Sequence, residues 1–151
     1  MKTRGYKFKI LIAGVGKLES KLKKYAETQG VTEEVIFLGF VQNIRSFNHS
    51  IDVFVLTSLY EGFGYVLVEA MASRKPVMAF DIGTTAEIIE DNKTGFLVEK
   101  GNVSQLTEKM EILIKNTELR ENMGNLGRKR VEEVFTFEKT LEKVESLLNE
   151  E

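Results

Sequence analysis

The sequence contains no cysteine, which excludes disulfide bonds and any chemistry that depends on a thiolate. It contains one histidine, His49, which stands shortly before an apolar run. A lone histidine can act as a base, but this position is more typical of a surface residue that precedes a strand. The sequence also lacks an Asp-x-Asp motif, a histidine pair and a carboxylate cluster with metal-ligand spacing. We therefore expect no metal and no cofactor.

Long apolar runs are missing as well. The basic N-terminus is followed by an apolar run of only Ile10 to Ala13, which is too short for a signal peptide or a membrane span. We therefore expect a cytoplasmic protein with no direct membrane segment. The net charge of −2 gives no reason to expect nucleic acid or an anionic membrane as a partner.

What is present is the composition of one globular domain. The chain has 151 residues, of which 42% are hydrophobic and 29% charged, enough to bury a core. Short β-rich runs at about 8–13, 34–38, 53–56, 77–80 and 96–98 alternate with helical patterns. From about residue 102 onward the pattern is helical throughout, with helices at about 103–115, 117–134 and 137–148. This alternation predicts an α/β fold, a parallel sheet with helices on both faces and a helical C-terminal tail.

The stretch Ser58 to Ser73 is the most informative part of the sequence. An apolar strand pattern precedes it, and Gly62 and Gly64 form a tight turn before a helical pattern begins. The first amides of a helix have no intrahelical partner and carry partial positive charge, and glycines let a phosphate approach them. Glu61 before the helix and Glu69 about one turn inside it would repel a phosphate, so they suit sugar hydroxyls instead. The stretch therefore predicts a nucleotide-sugar site.

This stretch also resembles a known motif. Glu61-Gly-Phe-Gly-Tyr-Val-Leu-Val-Glu69-Ala-Met-Ala is similar to the Glu-x7-Glu motif of the family 4 retaining glycosyltransferases, which have the GT-B fold. The glycine turn at 13–16, the strand at 35–41 and the segments 75–79, 83–89 and 92–98 match the same family in order. The resemblance covers nearly all of the chain. It implies one half of a GT-B fold, a Rossmann-like parallel sheet flanked by helices.

The resemblance also implies a domain organisation. Residues 1–151 would form a single donor-binding domain, with a Rossmann-like core at about 1–136. The helix at about 137–151 would cross to an N-terminal domain that this chain lacks. The family has an earlier strand with a Gly-Arg and a lysine that neutralise the leaving diphosphate, and Arg4 and Lys7 do not fit that pattern. We therefore expect a truncated chain that has little turnover of its own.

By resemblance, Glu61 contacts the hydroxyls of the donor sugar and is the catalytic candidate, and Glu69 holds the ribose diol. The amides that follow Glu61 would face the sugar and the diphosphate. The glycine turn after the first strand is a weaker candidate, because such a turn is often only structural and Glu19 replaces the third glycine of a dinucleotide fingerprint. The end of the second strand is also either a simple turn or a contact to the base. The implied substrate-binding residues are Gly14, Gly16, Val41, Glu61, Phe63, Gly64, Tyr65, Val66 and Glu69.

The function implied is the donor-binding half of a retaining glycosyltransferase of polysaccharide biosynthesis. It would transfer a hexose from a UDP- or GDP-sugar to a glycan or lipid acceptor, which the N-terminal domain would bind. The parent enzyme could be peripheral at the inner face of the membrane. Alternatives are a nucleotide-binding module without catalysis and a fragment of a sugar-nucleotide epimerase. A third is a docking module whose last helix, apolar at Leu141, Val144, Leu147 and Leu148, binds a separate subunit.

Three structural expectations concern the rest of the chain. Thr84 or Thr85 is expected to cap a short helix that ends at about residue 89. Gly124 and Gly127 indicate close packing of a helix against a neighbour. The basic run 128–130 is expected to be a solvated helix face.

Overall fold

A computed structural model of the protein describes residues 1–148, without the side chains of residues 143, 144, 147 and 148. The strands in this part of the chain are β1 Ile10–Ala13, β2 Val35–Gly39, β3 Phe54–Leu56, β4 Val77–Asp81 and β5 Gly95–Glu99. The helices are α1 Glu19–Thr28, α2 Ile44–Ser50, α3 Tyr65–Ala72, α4 Thr84–Ile88, α5 Val103–Lys115, α6 Thr117–Val134 and α7 Phe137–Leu148. The strands and helices expected within residues 1–148 are present, with ends that differ by one or two residues at most, and the part of the last helix expected at 149–151 lies outside the described residues.

The chain divides into two compact units, Met1–Ile44 and Arg45–Glu151. In the first unit β1 and β2 pair in parallel, and in the second β3, β4 and β5 pair in parallel in that order. The α/β class and the parallel strands are therefore confirmed. The sequence led us to expect one sheet, and the strands of the described residues instead form two. Among the same residues, no helix is long and apolar enough to cross a membrane.

The first unit contains the β1-β2 pair and α1. Ile10 lies opposite Val35 in the parallel pair. Gly30 stands two residues after α1, has φ 63° and donates its amide to the carbonyl of Glu27 at 2.9 Å. A glycine in the left-handed region is the usual helix stop, and Gly30 takes this position after α1. Within residues 1–44, Ala26 is the only buried apolar residue.

The second unit is organised around β4. Val77 and Ala79 on one face of this strand pack with residues of α3, α4 and α6. Met78 and Phe80 on the other face pack with residues of α5 and of the first half of α6. Successive side chains of a strand point to opposite faces, so β4 supplies both hydrophobic clusters. The expected arrangement of helices on both faces is confirmed for this sheet.

Two glycines allow α6 to pack closely on its neighbours. A Cβ at Gly124 would lie 2.1 Å from the backbone oxygen of Arg74, directly after α3. A Cβ at Gly127 would lie 3.4 Å from Cγ of Met71. The expected role of both glycines in close helix packing is therefore confirmed. This contact fixes α6 against α3, the helix that begins at the candidate site.

Candidate functional site

The candidate site lies in the loop that joins β3 to α3. Gly64 precedes the first residue of the helix and has φ 92° and ψ 43°, in the left-handed region that favours glycine. A Cβ at Gly64 would lie 3.5 Å from the side chains of both Leu67 and Ile88. Gly62 has open space around it. The structure thus confirms the expected strand, glycine turn and helix.

The amides at the start of α3 are available to a ligand. Among the hydrogen bonds of residues 1–148, none is donated by the backbone amide of Phe63, Gly64, Tyr65 or Val66. Hydrogen bonding begins with the amide of Leu67, which donates to the carbonyl of Gly64 at 2.9 Å. Unpaired amides at a helix N-terminus carry partial positive charge. This segment can therefore bind an anionic group.

Two carboxylates accompany these amides. Glu61 is half-buried in the loop, and Glu69 is exposed on α3. In the described part of the chain, neither carboxylate takes part in an ion pair or hydrogen bond, although the backbone carbonyls of both residues accept hydrogen bonds. Both side chains are thus free to accept hydrogen bonds from a ligand.

The loop after β4 lies beside the loop after β3, because the two strands are adjacent and parallel. The Thr84 hydroxyl donates to the backbone carbonyl of Glu61 at 3.5 Å. Gly83, with φ 83° and ψ −67°, precedes α4, and no side chain caps this helix. The backbone of Glu61 is therefore tied to the start of α4.

The expectation that Thr84 or Thr85 caps α4 is wrong. The buried Thr85 hydroxyl donates to the carbonyl of Phe80 at 2.7 Å and accepts from the amide of Ile82 at 3.2 Å. Thr84 instead reaches the neighbouring loop. Both hydroxyls are used to join β4 and its loop to surrounding segments, which the local sequence pattern does not show.

An aromatic contact anchors the loop of the candidate site. The ring centroid of Phe63 lies 4.9 Å from that of Tyr65 and 6.0 Å from that of Phe135. Phe63 packs against the core, whereas Tyr65 is 73% exposed. Phe63 therefore links the row of amides to the residue that follows α6.

The basic run 128–130 is not the solvated face expected from the sequence. Arg128 Nη1 donates to the carbonyl of Ala72 at 2.9 Å, and Arg130 Nε donates to the carbonyl of Ile88 at 2.7 Å. Only Lys129 fits the expectation, with a side chain that is 68% exposed. A basic run looks the same in sequence whether it faces water or the carbonyls at the ends of other helices. The sequence therefore did not indicate that the two arginines bind backbone carbonyls.

The remaining candidates lie in the first unit, at the carboxyl ends of its strands. Gly14 directly follows β1, has φ 126° and donates its amide to the carbonyl of Gly39 at 2.7 Å. Gly16 is exposed, and Val41, two residues after β2, is half-buried. These glycines and Val41 therefore share one edge of the β1-β2 pair, and their contacts to a ligand stay predictions.

The histidine and the clusters of acidic side chains are the other features that could carry chemistry. His49 is exposed, as expected. In residues 1–148 no group of three or more His, Cys, Asp or Glu side chains could hold a metal ion.

Comparison with known proteins decides the family. Residues 1–130 match the sequence profile of the glycosyl transferases group 1. The chain belongs to this family. Its resemblance to GT-B glycosyltransferases is thereby confirmed. The sequence of this chain is 34% identical over 149 residues to the capsular polysaccharide biosynthesis glycosyltransferase CapM of Staphylococcus aureus. That alignment covers 97% of this chain and 39% of CapM.

Solved structures of other proteins share the fold of this chain. A variant of S. aureus TarM, in complex with fondaparinux, α-GlcNAc-glycerol and UDP, is 34% identical with a TM-score of 0.87. The match covers 93% of this chain and 29% of TarM. The C-terminal domain of LpcC, a group 1 family protein of Francisella tularensis, is 25% identical with a TM-score of 0.75 and 87% coverage of both chains. The chain spans 29% to 41% of the length of curated relatives that it matches.

Proposed function

We propose that this chain binds the nucleoside diphosphate sugar donor of a retaining glycosyltransferase. The observation that carries the proposal is the row of unbonded amides at residues 63–66, flanked by the available carboxylates of Glu61 and Glu69. The amides would hold the diphosphate, where the helix end supplies positive charge without a side chain. The carboxylates would accept hydrogen bonds from hydroxyl groups, two from one vicinal diol where the geometry allows.

The reaction proposed for the whole enzyme is transfer of a hexose from a UDP- or GDP-sugar to a glycan or lipid acceptor. The bond from the anomeric carbon to the diphosphate breaks, and the acceptor oxygen forms a new bond to that carbon on the same face. The acceptor proton passes to the leaving diphosphate oxygen. Amides that are already oriented at the diphosphate would stabilise the charge that develops there. UDP in the TarM complex supports a uridine nucleotide.

The roles proposed for the two carboxylates are those that the resemblance to the family implies. Glu61, in the loop before the amides, would contact hydroxyls of the sugar and orient its ring. Glu69, on α3, would hold the ribose diol. Since the helix end already supplies positive charge, we also propose that donor binding needs no divalent metal. Binding that persists in the presence of a chelator would support this point, and binding that requires magnesium would contradict it.

Calorimetric titration of the chain with UDP, GDP, UDP-hexoses and uridine tests the proposal. We expect UDP to bind at least about tenfold more tightly than uridine, because charge-assisted hydrogen bonds to the diphosphate are worth about 1.5–3 kcal/mol. Uridine is the matched control, since it keeps the base and ribose and lacks the phosphates. Equal affinity for UDP and uridine, or no binding of either, would contradict a diphosphate site at residues 63–66.

Two substitutions test the separate roles of the carboxylates. Glu69→Ala should weaken the binding of UDP and UDP-hexose equally, by about tenfold. Glu61→Ala should weaken only the binding of UDP-hexose. Glu121→Ala, on the exposed surface of α6, is the control and should change neither affinity. Equal effects of Glu61→Ala and Glu69→Ala on both ligands would rule out this division of roles.

A further inference from the structure

Arg130 on α6 is a charged residue that is mostly removed from solvent, with a side chain 20% exposed. Its Nε donates to the carbonyl of Ile88 at 2.7 Å, and its Nη2 donates to the carbonyl of Glu87 at 2.8 Å. Its Nη1 also forms an ion pair with the carboxylate of Glu90. A planar guanidinium presents donors in several fixed directions at once. Arg130 therefore satisfies carbonyls at the C-terminal end of α4, which have no partner within the helix.

The helix that Arg130 holds contacts the turn with the unbonded amides. Ile88 is fully buried, and its Cδ1 lies 3.5 Å from the position that a Cβ of Gly64 would occupy. At the start of the same helix, the Thr84 hydroxyl donates to the backbone carbonyl of Glu61. Movement of α4 would therefore disturb both ends of the segment from Glu61 to Gly64.

Arg130 is also connected to the candidate site by contacts between aromatic rings. The guanidinium carbon of Arg130 lies 5.7 Å from the ring centroid of Phe135. Phe135 meets Phe63 edge to face at 6.0 Å, with an angle of 70° between the rings. Phe63 supplies the first of the unbonded amides and contacts the ring of Tyr65. Arg130 thus reaches the site both through α4 and through the side chain of Phe63.

We propose that Arg130 is a positioning residue for the diphosphate site. It holds α4 and Phe135, and these two contacts keep the amides of residues 63–66 in one orientation. Amides stabilise a diphosphate strongly only when they are oriented before it binds, so loss of Arg130 should weaken recognition of the phosphates more than recognition of the nucleoside. The inference rests on the proposed function of this site.

The test compares the affinities of UDP and uridine in variants of the full chain. Arg130→Met removes the bonds to α4, and Arg130→Lys keeps a cation that can replace one of them. We expect Arg130→Met to lower the ratio of UDP affinity to uridine affinity by about three- to thirtyfold. Arg130→Lys should restore part of that loss.

Arg128→Met is the matched control on the same helix. Arg128 also donates to a backbone carbonyl, that of Ala72, and pairs with Glu132, but its bonds reach the far end of α3. We expect Arg128→Met to lower the free energy of unfolding to a similar extent and to leave the affinity ratio unchanged. An equal loss of the ratio in Arg128→Met and Arg130→Met would overturn the proposal, because general destabilisation would then explain both.

A further variant keeps the proposal testable if Arg130→Met does not fold. Phe135→Leu removes the ring contact to Phe63 and leaves the bonds from Arg130 to α4 in place. A ratio of UDP affinity to uridine affinity that is below the wild-type value in both Phe135→Leu and Arg130→Lys supports the proposal. The wild-type ratio in both variants overturns it. If wild-type protein itself does not prefer UDP to uridine, the proposed function fails. If wild-type protein shows the preference and every variant keeps it, only the positioning role fails.

Discussion

The two parallel sheets of the molecule differ sharply in burial. Residues 77–80 of β4 are buried in succession, whereas no residue of β1 or β2 is buried. In the first unit, Ile36 and Leu38 of β2 are 39% and 42% exposed. Leu18, which precedes α1, is 64% exposed, and Tyr25 of α1 is 63% exposed. Hydrophobic burial is therefore concentrated in the second unit, which should supply most of the free energy of unfolding.

This difference bears on the candidate site. The unbonded amides of residues 63–66 begin a helix packed on the buried sheet, and Leu67, Ala70 and Met71 of that helix are completely buried. The glycine turn of Gly14 and Gly16 follows a strand with little burial. Precise ligand binding needs a rigid scaffold. The second unit thus provides a rigid scaffold for the proposed diphosphate site, and the turn in the first unit is the part that we expect to adjust.

The largest effect should come from adding a methyl group inside the buried sheet. In Gly95→Ala, the new Cβ would lie 2.1 Å from the backbone oxygen of Val77, so β4 and β5 would have to separate. We expect the free energy of unfolding to fall by at least about 4 kcal/mol, as measured by urea denaturation. Gly16→Ala in the first unit, where nothing lies within 4 Å of the new Cβ, should cost less than about 0.5 kcal/mol. A loss below about 1 kcal/mol in Gly95→Ala would show that the sheet can yield.

Removing an apolar side chain from each sheet tests directly whether the second unit supplies most of the free energy of unfolding. Met78→Ala should cost about 2–5 kcal/mol, because Met78 is fully buried and the substitution leaves a cavity. Leu38→Ala should cost about 1 kcal/mol or less, because much of that side chain already contacts water. Hydrogen exchange followed residue by residue measures each unit separately. Equal losses in the two variants would mean that the second unit does not dominate stability.

Loss of a hydroxyl at the edge of the buried sheet should lower the free energy of unfolding less than loss of an apolar side chain in the core of that sheet. Thr85→Val removes the bonds to Phe80 and Ile82 from a residue that is 1% exposed, and should cost about 1–3 kcal/mol. Thr28→Val in the first unit removes an exposed bond to the carbonyl of Tyr25 and should cost less than about 0.5 kcal/mol. Urea denaturation of both variants measures the difference. A similar small cost for both would show that water replaces the buried hydroxyl at Thr85.

The parts of the structure that the sequence predicted depend on neighbours along the chain. The apolar residues of β4 and the glycine turn before α3 each follow from local conformational preference or hydrophobic periodicity. The motif around Glu61 and Glu69 also placed both carboxylates correctly relative to the helix. Their roles toward a ligand stay predictions.

The parts that could not be predicted depend on contacts between distant segments. Arg128 and Arg130 bind backbone carbonyls more than forty residues away, and nothing in a run of basic residues indicates which helix end they meet. The hydroxyls of Thr84 and Thr85 fit a helix cap in sequence, but in the structure the adjacent loops use them. The division of the strands into two sheets likewise depends on pairing between segments.

The smallest predicted effect is a pH dependence of stability that appears in the first unit and not in the second. Lys2 Nζ lies 2.8 Å from Oε1 of Glu34, and this hydrogen bond lowers the pKa of the Glu34 carboxyl below its ordinary value of 4.5. The pKa of Glu34 is lower in the folded protein than in the unfolded chain. The pair therefore stabilises the first unit at a pH above the ordinary pKa, and this contribution is lost as the pH falls through the pKa of the folded protein. The effect should be small, since the Lys2 side chain is 49% exposed. Lys2→Met and Glu34→Gln should both flatten the acid dependence of hydrogen exchange in β1 and β2 and leave that in β4 unchanged. Wild-type acid dependence in both variants would show that this pair does not stabilise the first unit.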